Sequence, residues 1–302
     1  MSKLSTIQCL GGKSLKIYGN HFRYPKLWIK RGNEDEIEIE SITPNLKYLG
    51  DDEDPIVTNT YLTNLGGDGS YPTESTIDKN VINARFYFKF GDWWDYKLAK
   101  HDIYRYFSSK EIFRIRTDGE PGVVKYVKAG NFTIAPIEQF ARTSVFTIPF
   151  ENPSGYKYSL TTSDQLMNYD QEAWMLYGGN IPNGENLDYH FINKQSFRVF
   201  NASDITIDPY FQRHELNIIM EHFGDGFKLI NNTTKTSWSY KGQMNNTDKV
   251  ILQGINTFKN GILDNNNTDF GYITLATGWN EFSVVGAGDL DITFSFPFIY
   301  LG

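Results

Sequence analysis

Between Arg85 and Phe90 the chain reads Arg-Phe-Tyr-Phe-Lys-Phe. This period of two places Phe86, Phe88 and Phe90 on one face of a strand and Arg85, Tyr87 and Lys89 on the other. Such a strand can seal a core with one side and meet a partner with the other. Glu36-Ile37-Glu38-Ile39-Glu40 alternates in the same way and predicts a half-buried strand with an acidic outer face. The period then changes. Tyr96, Ala99, Ile103 and Phe107 recur at helical spacing with no Pro or Gly between them, which predicts a helix from Asp92 as N-cap to about Lys110, packed on a sheet. Trp93 and Trp94 at its start are expected to pack into the core rather than to form a sugar-stacking platform. His101 is expected at a partly exposed position, with no neighbouring ligand at metal spacing.

After the helix, short strand candidates follow at regular intervals: Ile112 to Arg116, Val123 to Lys128, Phe132 to Ile137 and Val145 to Phe150. Turn residues separate them, among them Asp118-Gly119-Glu120-Pro121-Gly122 and Gly130-Asn131, as in an antiparallel meander. Glu151-Asn152-Pro153-Ser154-Gly155 ends that rhythm. Beyond it, Phe197 to Asn201, Glu215 to Glu221, Phe227 to Ile230, Lys249 to Leu252 and Asp291 to Phe298 read as strands joined by Asn/Asp/Gly loops, and a β-sandwich is the simplest architecture. The fold class is therefore mainly β, in two domains, 1–160 and 161–302. The first is sandwich-like or barrel-like with one flanking helix.

The chain has 302 residues, 40% of them hydrophobic and 16% aromatic, enough for a sizeable core and in keeping with pleated structure. The net charge is -7. Up to residue 150 there are 20 basic and 19 acidic residues, and after it 9 and 17, so the halves carry +1 and -8. An acidic chain without a Lys/Arg run opposes phosphate neutralisation, and no nucleic-acid contact is expected. Cys9 is the single cysteine; it cannot make an internal disulfide and reads as a small packed side chain, in a reducing compartment or in a particle assembled without crosslinks. Met1 to Leu10 lacks a sustained apolar stretch, and nowhere do about 18 consecutive apolar residues occur, so neither a signal peptide nor a membrane span is expected.

Candidate chemistry changes the picture little. Asp51-Asp52-Glu53-Asp54-Pro55 supplies hard oxygen donors, yet it lacks the Asp-x-Asp-x-Asp-Gly spacing of a calcium loop and is expected to be solvated. Leu65-Gly66-Gly67-Asp68-Gly69-Ser70 lacks the Gly-Lys-Ser/Thr ending of a phosphate cradle and leads into Tyr71-Pro72, so it reads as a loop or turn. The histidines at 21, 101, 190, 214 and 222 form no zinc-type pair; His214 and His222 are expected on one strand face but far apart along it. Asn131-Phe132-Thr133 and Asn245-Asn246-Thr247 are sequons that an Asn/Thr-rich chain produces by chance, and Asn265-Asn266-Asn267 is a loop tolerant of left-handed turns. No catalytic, cofactor-binding or metal-binding residues are assigned, and no enzyme activity or cofactor is expected.

Two ordered sets of features carry a family resemblance. The strand Arg85 to Phe90, the helix opened by Asp92-Trp93-Trp94, then Gly130-Asn131-Phe132-Thr133-Ile134-Ala135-Pro136-Ile137 and Ser144-Val145-Phe146-Thr147-Ile148-Pro149-Phe150 resemble the N-terminal domain of siphophage distal tail proteins. Phe197-Arg198-Val199-Phe200-Asn201, Gly278-Trp279-Asn280-Glu281-Phe282-Ser283-Val284-Val285-Gly286 and Asp291-Ile292-Thr293-Phe294-Ser295-Phe296 resemble the C-terminal sandwich of that family.

The resemblance implies a structural hub at a phage tail tip or baseplate. Its N-terminal domain would form a hexameric ring under the tail tube, and its galectin-like C-terminal domain would face outward. The implied partners are further copies of the chain, the tail tube protein, and tail-associated and receptor-binding proteins; the implied location is the virion tail tip, after assembly in the host cytoplasm. The competing readings are a carbohydrate-binding module for host polysaccharide and a polysaccharide-degrading enzyme. Galectins that bind β-galactosides use His-x-Asn-x-Arg on a strand and a Trp followed three residues later by Glu. Here His214-Glu215-Leu216-Asn217 would turn the His and Asn side chains to opposite faces, Trp279 precedes Glu281 by two, and no arginine matches. The galectin pocket is therefore expected to be absent, with Trp279 packed.

Overall fold

The computed structural model describes residues 24–63, 66–165, 187–287 and 289–302. The first half contains β1 (Leu27–Arg31), β2 (Ile37–Glu38), β3 (Leu46–Asp52), β4 (Ile56–Thr63), β5 (Ser70–Asp78), β6 (Asn80–Lys89), helix α1 (Trp93–Phe107), β7 (Phe113–Thr117), β8 (Val123–Ala129), β9 (Thr143–Asn152) and β10 (Lys157–Thr162). One sheet runs in the order β2-β1-β7-β8-β9-β6-β3, with β10 joined to β8. β6 and β9 pair without a register shift from Asn80↔Asn152 to Lys89↔Thr143. The alternation in β6 does what its period requires: Ile82, Ala84, Phe86 and Phe88 are buried, and Val81, Asn83, Arg85 and Lys89 are exposed.

Helix α1 covers this apolar face. The Asp92 carboxylate caps it, accepting from the Trp94 N–H at 2.8 Å and the Asp95 N–H at 2.9 Å. Tyr96, Ala99, Ile103 and Phe107 are its buried residues, the four positions the spacing selects. Phe107 packs against Phe113 and Phe150, with ring centroids 5.9 and 5.7 Å away, joining helix to sheet.

Three local expectations for this half are corrected. Phe132 to Ile137 is not a strand but an irregular segment with one bridge at Pro136. Its backbone groups bond instead to side chains of the helix: Tyr104 Oη donates to the Phe132 carbonyl at 3.1 Å, and Tyr96 Oη and Lys100 Nζ each donate to that of Ile134 at 2.8 Å. Of Glu36 to Glu40 only Ile37–Glu38 is strand; a 3-10 turn begins at Ile39, which is still buried. The acidic stretch after Gly50 is not simply solvated. Asp51 and Asp52 end β3, and the Glu53 side chain is only 9% exposed.

The second half contains β11 (His190–Ile192), β12 (Ser196–Asn201), β13 (Asn217–Glu221), β14 (Phe227–Asn231), β15 (Thr236–Tyr240), β16 (Lys249–Gln253), β17 (Asn256–Lys259), β18 (Ile262–Leu263), β19 (Gly278–Val285), β20 (Asp291–Ser295) and β21 (Pro297–Tyr300). A six-stranded sheet, β11-β20-β13-β16-β17-β18, and a four-stranded sheet, β12-β19-β14-β15, bury one continuous core between them. Trp238 lies at its centre, fully buried, with its indole N–H donating to Thr257 Oγ1 at 3.1 Å. The expected single strand Asp291 to Phe298 is two: it breaks at Phe296, where β20 leaves the sandwich and β21 crosses to pair with β10. One apolar cluster lies wholly within Leu27 to Phe150; the other joins Val123 to residues from Tyr189 to Tyr300. The two halves are thus tied through β10, β21 and Val123.

Candidate interaction surfaces and junction groove

Among the described residues, strands β4 and β5 pair only with each other. Every residue of β4, and all of β5 except Ile77, is exposed, including Ile56, Val57, Tyr61, Leu62 and Tyr71. Side chains link the two strands, with Thr58 Oγ1 donating to Asp78 Oδ2 and Ser75 Oγ to Asn59 Oδ1, both at 2.6 Å. A two-stranded ribbon of this kind has little stability of its own. Its root is clamped: a Cβ on Gly155, which has φ +68°, would lie 2.3 Å from the Asp78 carbonyl oxygen.

Beside that root sits a charged cluster. Glu53 bonds to Lys125, Lys157 Nζ stands 3.8 Å from the same carboxylate and 3.4 Å from Glu120, and Lys125 Nζ is 3.8 Å from Asp51. The lysine side chains are only 10% and 11% exposed. Ammonium groups supply the countercharge to these carboxylates, and among the described residues no group of three His, Cys, Asp or Glu is arranged to hold a metal ion.

At the start of the helix, the expected burial of Trp93 and Trp94 is overturned: they are 55% and 81% exposed. The phase fixed by Tyr96, Ala99, Ile103 and Phe107 turns Trp94 outward together with Leu98 and His101. Trp93 lies against Tyr96 at 5.0 Å, with Lys97 Nζ over its ring. Phe140 is 92% exposed, in the left-handed region.

The second half contributes a loop tied at its neck. The His214 N–H donates to the Asp208 carbonyl at 3.1 Å, and the Asp208 N–H donates to Nδ1 of His214 at 3.2 Å. Within the loop, Asp208 Oδ1 accepts from the backbone N–H groups of Tyr210 and Phe211 at 2.8 and 3.0 Å. Arg213 takes φ +56°, a conformation that L side chains avoid. Burial pushes the imidazole of His214 down from its usual value, against the raising influence of the Thr206 backbone and of Asp208.

The loop separates two cavities. One, of about 690 Å³, lies at the junction of the halves and reaches the root of the hairpin at Ser75, Thr76 and Ile77. The other, of about 430 Å³, extends from Tyr210 to the Gln253–Asn256 turn. Arg213, His214 and Glu215 line both. His214 therefore precedes β13 instead of lying on it, and His214 and Asn217 face one cavity, contrary to the opposite-face expectation. His222, at the far end of β13, bonds to Asp289 and to the Asp225 carbonyl. No periodicity marks this loop, because its neck is held by one main-chain bond and one bond from a main-chain N–H to a ring nitrogen.

Trp279 is half-buried as expected, edge-on to Phe200 at 5.0 Å and with Arg198 over its ring at 4.4 Å. It lines neither cavity. Cys9, His21 and Leu65 lie outside the described residues.

Residues 33–152, which include the hairpin, the helix and the β6–β9 ladder, match the family model of the phage tail protein RIFT-related domain. The chain's first half is therefore similar to a phage tail domain. The match to solved structures extends over both halves of the chain. The Dit protein of phage SPP1, described as a paradigm of the hub adsorption apparatus in phages that infect Gram-positive bacteria, superposes with a TM-score of 0.64 at 11% identity, covering 90% of this chain and 99% of that one. The phage p2 baseplate in its activated conformation aligns with TM-scores of 0.47 with Sr and 0.45 with Ca, each at 12% identity and covering 91% of this chain and 98% of the other. No curated protein sequence matches the chain significantly. Its mainly β architecture, with one α-helix among the described residues, is the fold of the SPP1 Dit protein. Among the described residues no helix is long and apolar enough to cross a membrane.

Proposed function

We propose that this chain is the hub of a siphophage tail tip, six copies closing a ring that joins the tail tube to tail-associated and receptor-binding proteins. Residues 1–160 would form the ring below the tube, and residues 161–302 the outward, galectin-like domain. The observation that carries this reading is the β4–β5 ribbon: an unsupported hairpin with exposed Ile56, Val57, Tyr61, Leu62 and Tyr71, within the domain that matches the tail family. A head-to-tail contact between this arm and a different surface of the next copy is heterologous, and such contacts close a ring when the rotation permits. The near-neutral first half suits repeated contact between like copies, and the acidic second half suits a solvated appendage.

In this role the protein needs neither catalysis nor cofactor, and it would be assembled in the host cytoplasm before residing at the virion tail tip. Negative-stain microscopy of the purified protein and of tails tests the reading. Six-fold rings are the expected image, and rings absent from both samples would remove it.

A further inference from the structure

We propose that the groove on the two sides of Arg213-His214-Glu215 binds an uncharged oligosaccharide, a function beyond the hub role and independent of it. The two cavities fall within the size range of small-molecule sites, and the segment between them is held rigid by the Asp208–His214 neck. Their walls combine flat rings with short polar groups. On one side Tyr210 is stacked on Tyr272, with ring centroids 5.1 Å apart, and is braced edge-on by Phe211 at 4.8 Å. On the other, Tyr126 and Tyr158 meet edge-on at 5.5 Å, and Tyr156 meets the His214 ring edge-on at 5.8 Å. The same cavities are also lined by the amides of Gln212, Asn217 and Gln253 and by the hydroxyls of Ser75, Ser154 and Thr162.

That combination suits a pyranose, whose faces are apolar and whose rim is hydroxylated. The charge lining the groove cancels. Among the described residues, Arg213 and Glu215 are the only ionised side chains in either wall, and burial favours the neutral form of His214. A ligand of either sign would meet its like charge, whereas hydroxyl groups accept from the guanidinium and donate to the carboxylate. An extended peptide adding to a sheet edge is disfavoured, because β10, the strand beside the larger cavity, is already paired on both sides, with β8 and with β21.

The experiment uses the full chain and a panel of maltotriose, cellotriose and N,N′,N″-triacetylchitotriose, with trigalacturonate as the charged comparison. Binding is followed by saturation-transfer NMR and by titration. At least one neutral trisaccharide should bind saturably, with Kd on the order of 1 mM. Tyr210→Ala and Gln253→Ala, both at exposed positions, should weaken it at least tenfold while leaving thermal unfolding and oligomeric state unchanged. Trp279→Ala should bind as the parent does, and trigalacturonate should not bind. No saturable binding by any neutral member overturns the proposal, as does binding that survives both groove substitutions or is lost with Trp279→Ala. Oligomeric state is measured on the same samples, so a failure of the hub reading is seen separately.

Discussion

Asp208 and His214 hold each other by two hydrogen bonds: the His214 N–H donates to the Asp208 carbonyl, and the Asp208 N–H donates to Nδ1 of the His214 ring. The second bond requires an unprotonated Nδ1, so it is lost when the imidazole takes up a second proton. Burial lowers the affinity of this ring for that proton. The contribution is therefore intact above the unfolded histidine value of about 6.5 and is lost as the pH falls from there through the lowered native value. Melting temperatures of the parent and of His214→Asn, measured from pH 8 to pH 4.5, should differ in slope below about pH 6.5, the parent falling more steeply. Parallel curves would show that this ring is not linked to folding.

The charged root of the hairpin gives a second prediction. Glu53→Ala leaves the Lys125 and Lys157 ammonium groups, both largely buried, without their shared partner. Removing one member of such a cluster should cost about 3 kcal/mol, read from urea unfolding. Asp51 and Glu120 remain within 3.8 and 3.4 Å of the lysines, which places the effect at the lower end of the usual range. A loss below about 1 kcal/mol, the level of a surface pair, would contradict this picture of the root.

Helix phasing gives a third. Ile103 is fully buried and Trp94 is 81% exposed, although both are large apolar side chains on one helix. Ile103→Ala should destabilise the protein by about 2–5 kcal/mol. Trp94→Ala, away from any core, should change stability by less than about 0.5 kcal/mol. A large stability loss for Trp94→Ala in dilute monomer would return this side chain to the core.

The expected division near residue 160 is open to a direct cut. The first apolar cluster closes by Phe150, but β10 pairs with β8 through Tyr158 and Ser159 and with β21 through Lys157, Tyr158 and Thr162. A fragment of residues 1–160 should unfold cooperatively in urea. A fragment without a cooperative transition would mean that β21 belongs to the first folding unit.

What the sequence made legible follows from periodicity. The β6 face and the four buried positions of the helix repeat over enough residues to be read with no knowledge of their surroundings. Phe132 to Ile137 looked like a strand because its apolar content was right, yet its backbone is satisfied by Tyr96, Lys100 and Tyr104, side chains roughly thirty residues away. The hairpin was missed for a related reason. β4 and β5 cover no core, so their Thr, Ser and Asn positions carry no alternation for a pattern to catch. The groove was hidden because it joins residues 75–77, 154–162 and 209–217, and because the left-handed backbone at Arg213 leaves no mark in composition.

If the β4–β5 arm closes a ring of like copies, light scattering on two chains will separate the ring from a monomer. The parent should scatter as six times its 34.7 kDa mass. A chain lacking residues 57–77, with Ile56 and Asp78 joined by a short glycine turn, should keep the melting temperature of the parent's first domain but scatter as a monomer; those two residues already face each other across the ribbon. A shortened chain that still forms the six-fold assembly, or a parent that stays monomeric at high concentration and is absent from rings in tails, would contradict the account.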